Sequence, residues 1–87
     1  MNTNQNQKNE YSRLYWQCRR GMLELDILLQ TFVTTAVQFL NQIELEAFKR
    51  LLSQPDNLLL EYLMGRTVPL DKEVARVVEQ IRNTASR

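Results

Sequence analysis

The stretch CRRGMLELD, Cys18 to Asp26, decides the fold, because it reads either as a break between two helices or as the middle of one. Upstream, Tyr11, Leu14, Tyr15 and Cys18 fall at i, i+3, i+4 and i+7, the stripe of an amphipathic helix. Arg19 and Arg20 suit the negative end of that helix, and Gly21 is the residue best able to take a left-handed C′ position. Downstream, Glu24 and Asp26 suit the positive first turn of a second helix, running from Met22 to Phe39. Against a break stands a heptad seam: Tyr11, Tyr15, Cys18, Met22, Leu25, Leu29, Phe32, Ala36 and Phe39 alternate spacings of four and three straight through Gly21. A glycine inside one continuous coiled-coil helix would cost only ~1 kcal/mol relative to alanine. However, the positions flanking the seam after Asp26 carry no charge. Ile27, Leu28, Val33, Val37 and Leu40 also widen the apolar surface beyond what one partner helix covers. The break is the preferred reading. The second helix, the most apolar, is expected at the centre of a bundle, enclosed by its neighbours.

Three more helices follow from the same signals. Asn41 with Glu44 forms an N-x-x-E capping box, so a helix begins at Asn41 and buries Leu45, Phe48, Leu51 and Leu52. SQPDN ends it, since Pro55 disfavours a helical Gln54, and Asp56 is placed to cap the next short helix, which stops at Gly65. Asp71 caps the last, whose stripe is Val74, Val77, Val78 and Ile81. No strand pattern or internal repeat competes. The expectation is an all-α, compact five-helix bundle spanning residues 11–82, with a flexible polar tail at 1–10 and a flexible C-terminal tail at 83–87.

Composition narrows the function. Eleven Lys and Arg balance ten Asp and Glu, and the basic residues are scattered along the chain, which argues against a nucleic-acid partner. There is no histidine and only one cysteine, so a Ser-His-Asp or Cys-His arrangement, a zinc site and an intrachain disulfide are all excluded within the chain. No phosphate-cradling or dinucleotide glycine motif is present. The opening MNTNQNQKNE fits neither a secretory signal nor a transit peptide, and LDILLQTFVTTAVQFL is too short and polar to span a bilayer. These features point to a binding or assembly module without membrane insertion rather than an enzyme.

WQCRRGMLELDILL, Trp16 to Leu29, resembles the R-G-x-x-E region of the bacterial succinate dehydrogenase assembly factors, which promote covalent flavin attachment to the flavoprotein subunit. Arg20, Gly21 and Glu24 match the motif. The similarity continues in AFKRLL, Ala47 to Leu52, and in PDNLLLEYLMG, Pro55 to Gly65, covering roughly residues 11–82. Two departures are visible: QFLNQIELE stands where the family usually has an acidic segment, and Tyr62 stands where it commonly has tryptophan. The resemblance implies a five-helix fold and a cytoplasmic bacterial setting. It also implies the flavoprotein subunit of succinate dehydrogenase as client, with fumarate reductase as a second candidate. FAD would be attached to the client and not held stably by this chain. The family also carries an antitoxin label in places, so an antitoxin-like interaction module is the alternative.

The corner has a plain structural reading, basic helix end, glycine stop and acidic helix start, each charge contributing only ~0.3–1 kcal/mol. The functional reading is a partner-binding corner. Arg19, Arg20 and Glu24 would flank a residue without a side chain, where another backbone can approach Gly21. Trp16 would anchor a partner or pack on the last helix, and Asp26 would serve as cap or secondary contact. Cys18 lies on the apolar stripe and reads as core. A monomer is expected.

Overall fold

A computed structural model describes residues 3–85, with side chains from Glu10 to Ala85. Its helices are α1 (Thr3–Gln17), α2 (Leu23–Thr35), α3 (Gln42–Leu52), α4 (Asp56–Leu63) and α5 (Lys72–Ala85), with a 3₁₀ turn at Val37–Phe39 between α2 and α3. The chain is all-helical among the described residues. The expected tails fall partly outside those residues; within them, α1 already begins at Thr3 and α5 continues to Ala85.

Gly21 has φ +83°, a left-handed conformation that no continuous helix contains, so the heptad seam is interrupted and the chain folds back. The radius of gyration, 12.6 Å, is close to the ~12 Å of a compact domain of this length and rules out a rod. α1 nevertheless ends earlier than its arginines suggest. Arg19 N–H donates to Trp16 O at 3.1 Å in a tightened last turn, and Arg19, Arg20 and Gly21 lie beyond the helix.

The second helix also ends short of Phe39. Thr34 and Thr35 hydroxyls both donate to the Thr31 carbonyl, at 3.1 and 2.7 Å, and compete with the backbone ladder in a β-branched run. Ala36 then leaves helical geometry at φ −130°, and the 3₁₀ turn carries the chain to Leu40.

The local stop and start signals of the other helices are found where the spacing places them. Glu44 N–H donates to Asn41 Oδ1 at 2.8 Å and Asn41 N–H to Glu44 Oε1 at 3.0 Å, a complete capping box. Asp71 Oδ1 accepts from the Glu73 and Val74 N–H groups. α4 closes in a Schellman motif: Gly65, at φ +76°, donates to Tyr62 O and Arg66 donates to Glu61 O. Asp56 is the exception. The N-cap of α4 is Pro55, and Asp56 is already helical, its carboxylate turned to Arg20 instead of the helix start.

The core joins Leu25, Leu29, Phe32 and Val33 of α2 to Phe48 and Leu51 of α3, Leu59 of α4 and Val77 and Ile81 of α5. The Phe32 and Phe48 rings lie 5.3 Å apart and tilted by 54°. α5 packs against α2, α3 and α4, whereas α2 packs mainly against α1 and α5. The central place expected for the most apolar helix is therefore held by the most amphipathic one, whose valine stripe is narrow enough to meet three partners. α2 is not enclosed on every side, since Leu23 and Ile27 are 77% and 54% exposed. No helix among the described residues is long and apolar enough to cross a membrane.

Candidate functional site

The corner from Cys18 to Asp26 is built around two acids, one local and one distant. Asp26, in the first turn of α2, reaches back to accept from the Arg20 N–H at 2.6 Å and from the Gly21 N–H at 3.2 Å. It thereby ties the loop to the helix that follows and satisfies two donors the turn would leave unpaired. The N-cap of α2 itself is Met22, without a side-chain cap, so Asp26 fastens the loop rather than capping the helix.

The distant acid is Asp56. Arg20 Nη1 donates to Asp56 Oδ1 at 3.1 Å, and Nη2 donates to the Leu52 carbonyl at the end of α3. The guanidinium thus bridges the corner to the α3–α4 junction and neutralises an orphan carbonyl of α3. Its side chain is only 17% exposed, and its Nε is buried without a hydrogen-bond partner among the described residues. Arg20, expected on an open surface, is turned inward because the junction offers both a carboxylate and a free carbonyl.

The other residues remain outward. Arg19 is exposed, its guanidinium 6.0 Å from the centre of the Trp16 ring, and Trp16 is 59% exposed and stands edge-on to Tyr15. Trp16 borders a depression with Tyr11 and Tyr15 of α1 and Val33 of α2. Glu24 is exposed and opens onto a different depression, beside Leu28, Met64 and Arg82. Arg20 and Glu24 therefore face separate hollows, although four residues apart on the chain. Gly21 lies between them, and a Cβ added there would meet nothing within 4 Å.

Cys18 is fully buried against this corner. Burial pushes its thiol up to about 12, outweighing the opposing pull of the Arg20 charge, so it is a neutral packing group at neutral pH. No group of three or more Cys, Asp or Glu side chains among the described residues is gathered so as to hold a metal ion.

Three contributors were not legible as site residues. Asp56 reads as a cap, Leu52 as core, and Lys49 as an ordinary basic residue near a helix end. Lys49 lines a cleft with Arg19 and Arg20 and pairs with Glu10 at 2.8 Å. Nothing in the spacing of residues 20, 49, 52 and 56 marks them as neighbours; only the packing of α3 against the corner does.

Comparison with known proteins follows the same ground. Residues 12–85 match the family described as flavinator of succinate dehydrogenase. The FAD assembly factor SdhE of Legionella pneumophila (strain Paris) is 49% identical over 74 residues, covering 85% of this chain and 92% of that protein. Its namesakes in Shewanella oneidensis and Coxiella burnetii are 45% and 42% identical, over 86% and 85% of this chain and 92% and 90% of their own lengths.

Proposed function

The chain belongs to the family of flavinators of succinate dehydrogenase, and from that premise we propose that it is an assembly factor. It binds the flavoprotein subunit of succinate dehydrogenase and promotes covalent attachment of FAD to that subunit. Fumarate reductase, with a flavoprotein subunit of the same kind, is the second client. The observation that carries the reading is the family match over residues 12–85, a span that includes the open glycine corner.

The residues divide by what they can offer a partner. Gly21 leaves space for another backbone, and the exposed Trp16, Arg19 and Glu24 around it are side chains able to anchor and orient a client. Asp26 and Arg20 act one step back: the first holds the loop amides, the second locks the corner onto α3 and α4. The chain contains no histidine, and its one thiol is buried and neutral, so it brings neither a general base nor a nucleophile to the client. Bond formation is left to the client, and this chain supplies orientation. It acts as a monomer in the bacterial cytoplasm, is not itself an enzyme, and holds no FAD of its own.

Reconstitution tests this. Unflavinylated flavoprotein subunit is incubated with FAD, with and without this protein, and covalent flavin is read by fluorescence in a denaturing gel. A faster or fuller appearance of the fluorescent band is expected with the protein present. Equal bands in both lanes would refute the assignment.

A further inference from the structure

The cleft between the end of α1 and the C-terminal half of α3 has a volume of about 400 Å³ and is lined by Gln17, Arg19, Arg20, Lys49, Leu52 and Ser53. Three of these six are cationic and none is acidic, in a chain whose formal net charge is only +1. The three cations are not equally occupied. Arg20 is held by Asp56 and the Leu52 carbonyl. Among the described residues Lys49 is held only by Glu10, in a pair whose side chains are 43% and 45% exposed, and such solvated pairs exchange readily. Arg19 has no acidic partner among the described residues, only the Trp16 ring beneath it. The neighbouring Arg50 is satisfied separately by Asp71.

Resting on the assembly-factor reading, we propose that this cleft receives an Asp or Glu side chain of the client flavoprotein, with Arg19 and Lys49 as its charge partners. The arginine fork matches a carboxylate in two parallel hydrogen bonds, and the tryptophan beneath it restrains the guanidinium before the client arrives. The Gln17 amide is a further donor at the same rim. Lys49 is delivered from α3, so the receptor exists only once the corner is locked onto that helix by Arg20. The cleft thereby extends the glycine corner into a two-helix contact and sets the orientation of the client by a charge.

The test measures binding of the unflavinylated subunit to wild type, Lys49→Glu and Arg19→Glu/Lys49→Glu across a range of NaCl concentrations, with circular dichroism confirming that each variant is folded. Lys49→Glu is expected to weaken binding about tenfold and the double variant further, with a shallower salt dependence in both. Glu10→Gln, which frees Lys49, is expected to tighten binding about twofold to threefold. Wild-type affinity and salt dependence in both charge-reversal variants would overturn the proposal. Inorganic pyrophosphate is titrated in parallel, without client. Saturable binding that vanishes in the double variant while client affinity is unchanged would assign the cleft to a phosphate group and overturn the carboxylate. If the wild-type protein neither binds the subunit nor raises its covalent flavin, the assembly-factor reading falls and this assignment with it. If it does both and the variants match it, only the cleft assignment falls.

Discussion

Gly21 and Gly65 both stand at helix ends with positive φ, +83° and +76°, yet their surroundings are opposite. At Gly65 a Cβ would lie 2.7 Å from the Arg82 guanidinium, which is laid over the turn by α5, and the loop amides are consumed in the Schellman motif. At Gly21 the same Cβ would meet nothing within 4 Å, and the amides are tied from behind by Asp26. One glycine closes the protein on itself. The other is required by its backbone conformation alone, and the space above it is left vacant by the described residues. A left-handed glycine is therefore ambiguous in sequence, and what covers it separates a packing turn from a surface another molecule can reach.

The firmest way to break this contrast is to remove what holds the open corner in place. Arg20→Ala strands the Leu52 carbonyl and the Asp56 carboxylate, and a loss of about 2 kcal/mol is expected, or roughly 10 °C in melting temperature. Arg20→Lys, which keeps the charge but not the fork, is expected to fall between. A melting temperature within 2–3 °C of wild type for Arg20→Ala would show that the corner does not depend on that bridge. Next comes Gly21→Arg. Its side chain enters open space, so stability is expected to fall by only about 1–2 kcal/mol, from the backbone conformation. Covalent flavin formed in the client is expected to fall at least about tenfold, because the vacancy is filled. Undiminished flavinylation by this variant would leave Gly21 as a turn residue only.

Gly65→Ala is the control at the closed corner. The obstructing atoms are the far end of a flexible arginine, so the cost is expected to be about 1 kcal/mol, mostly conformational, with client flavinylation unchanged. A drop in flavinylation out of proportion to stability would erase the distinction between the two glycines.

The smallest effect concerns the acids that fasten the closed side. The Asn41 amide and then the Gln80 side chain donate to Glu44 and hold its carboxyl below the usual range, and the Val74 and Glu73 amides do the same for Asp71. A depressed folded value means that the contribution is present above the unfolded carboxylate value and is lost as pH falls through the folded one. The melting temperature is therefore expected to hold from neutrality to about pH 5 and to decline below it. Glu44→Gln should shallow that decline, and an acid limb identical to wild type would show that this carboxylate does not contribute to it.

Much of the fold was legible because its signals are short-range. The Asn41–Glu44 box, the Asp71 cap, the stop at Gly65 and the break at Gly21 each join residues a few positions apart. The heptad through Gly21 was a real competitor, and one backbone conformation settled it. The extent of the second helix was less legible, since two threonine hydroxyls back-bonding to the carbonyl of a third are not visible in an apolar pattern. Arg19 and Glu24 are on the surface, Trp16 takes the exposed one of its two open readings, and Asp26 accepts from the loop amides. Arg20 lies inward, and the scattered basic residues of the sequence are locally gathered by folding.

By itself the amino-acid order determined which segments are helical, where most of them start and stop, and which face of each is apolar, since those outcomes rest on contacts within one or two helical turns. It also carried the family likeness. Which acid Arg20 would meet, which helix would become the hub, and whether Lys49 would stand beside Arg19 were decided only in three dimensions. The partners of Arg20 lie 32 and 36 residues away, and no periodicity links positions that far apart. Their meeting depends on how the helices pack, and packing follows from the fit of whole side-chain surfaces.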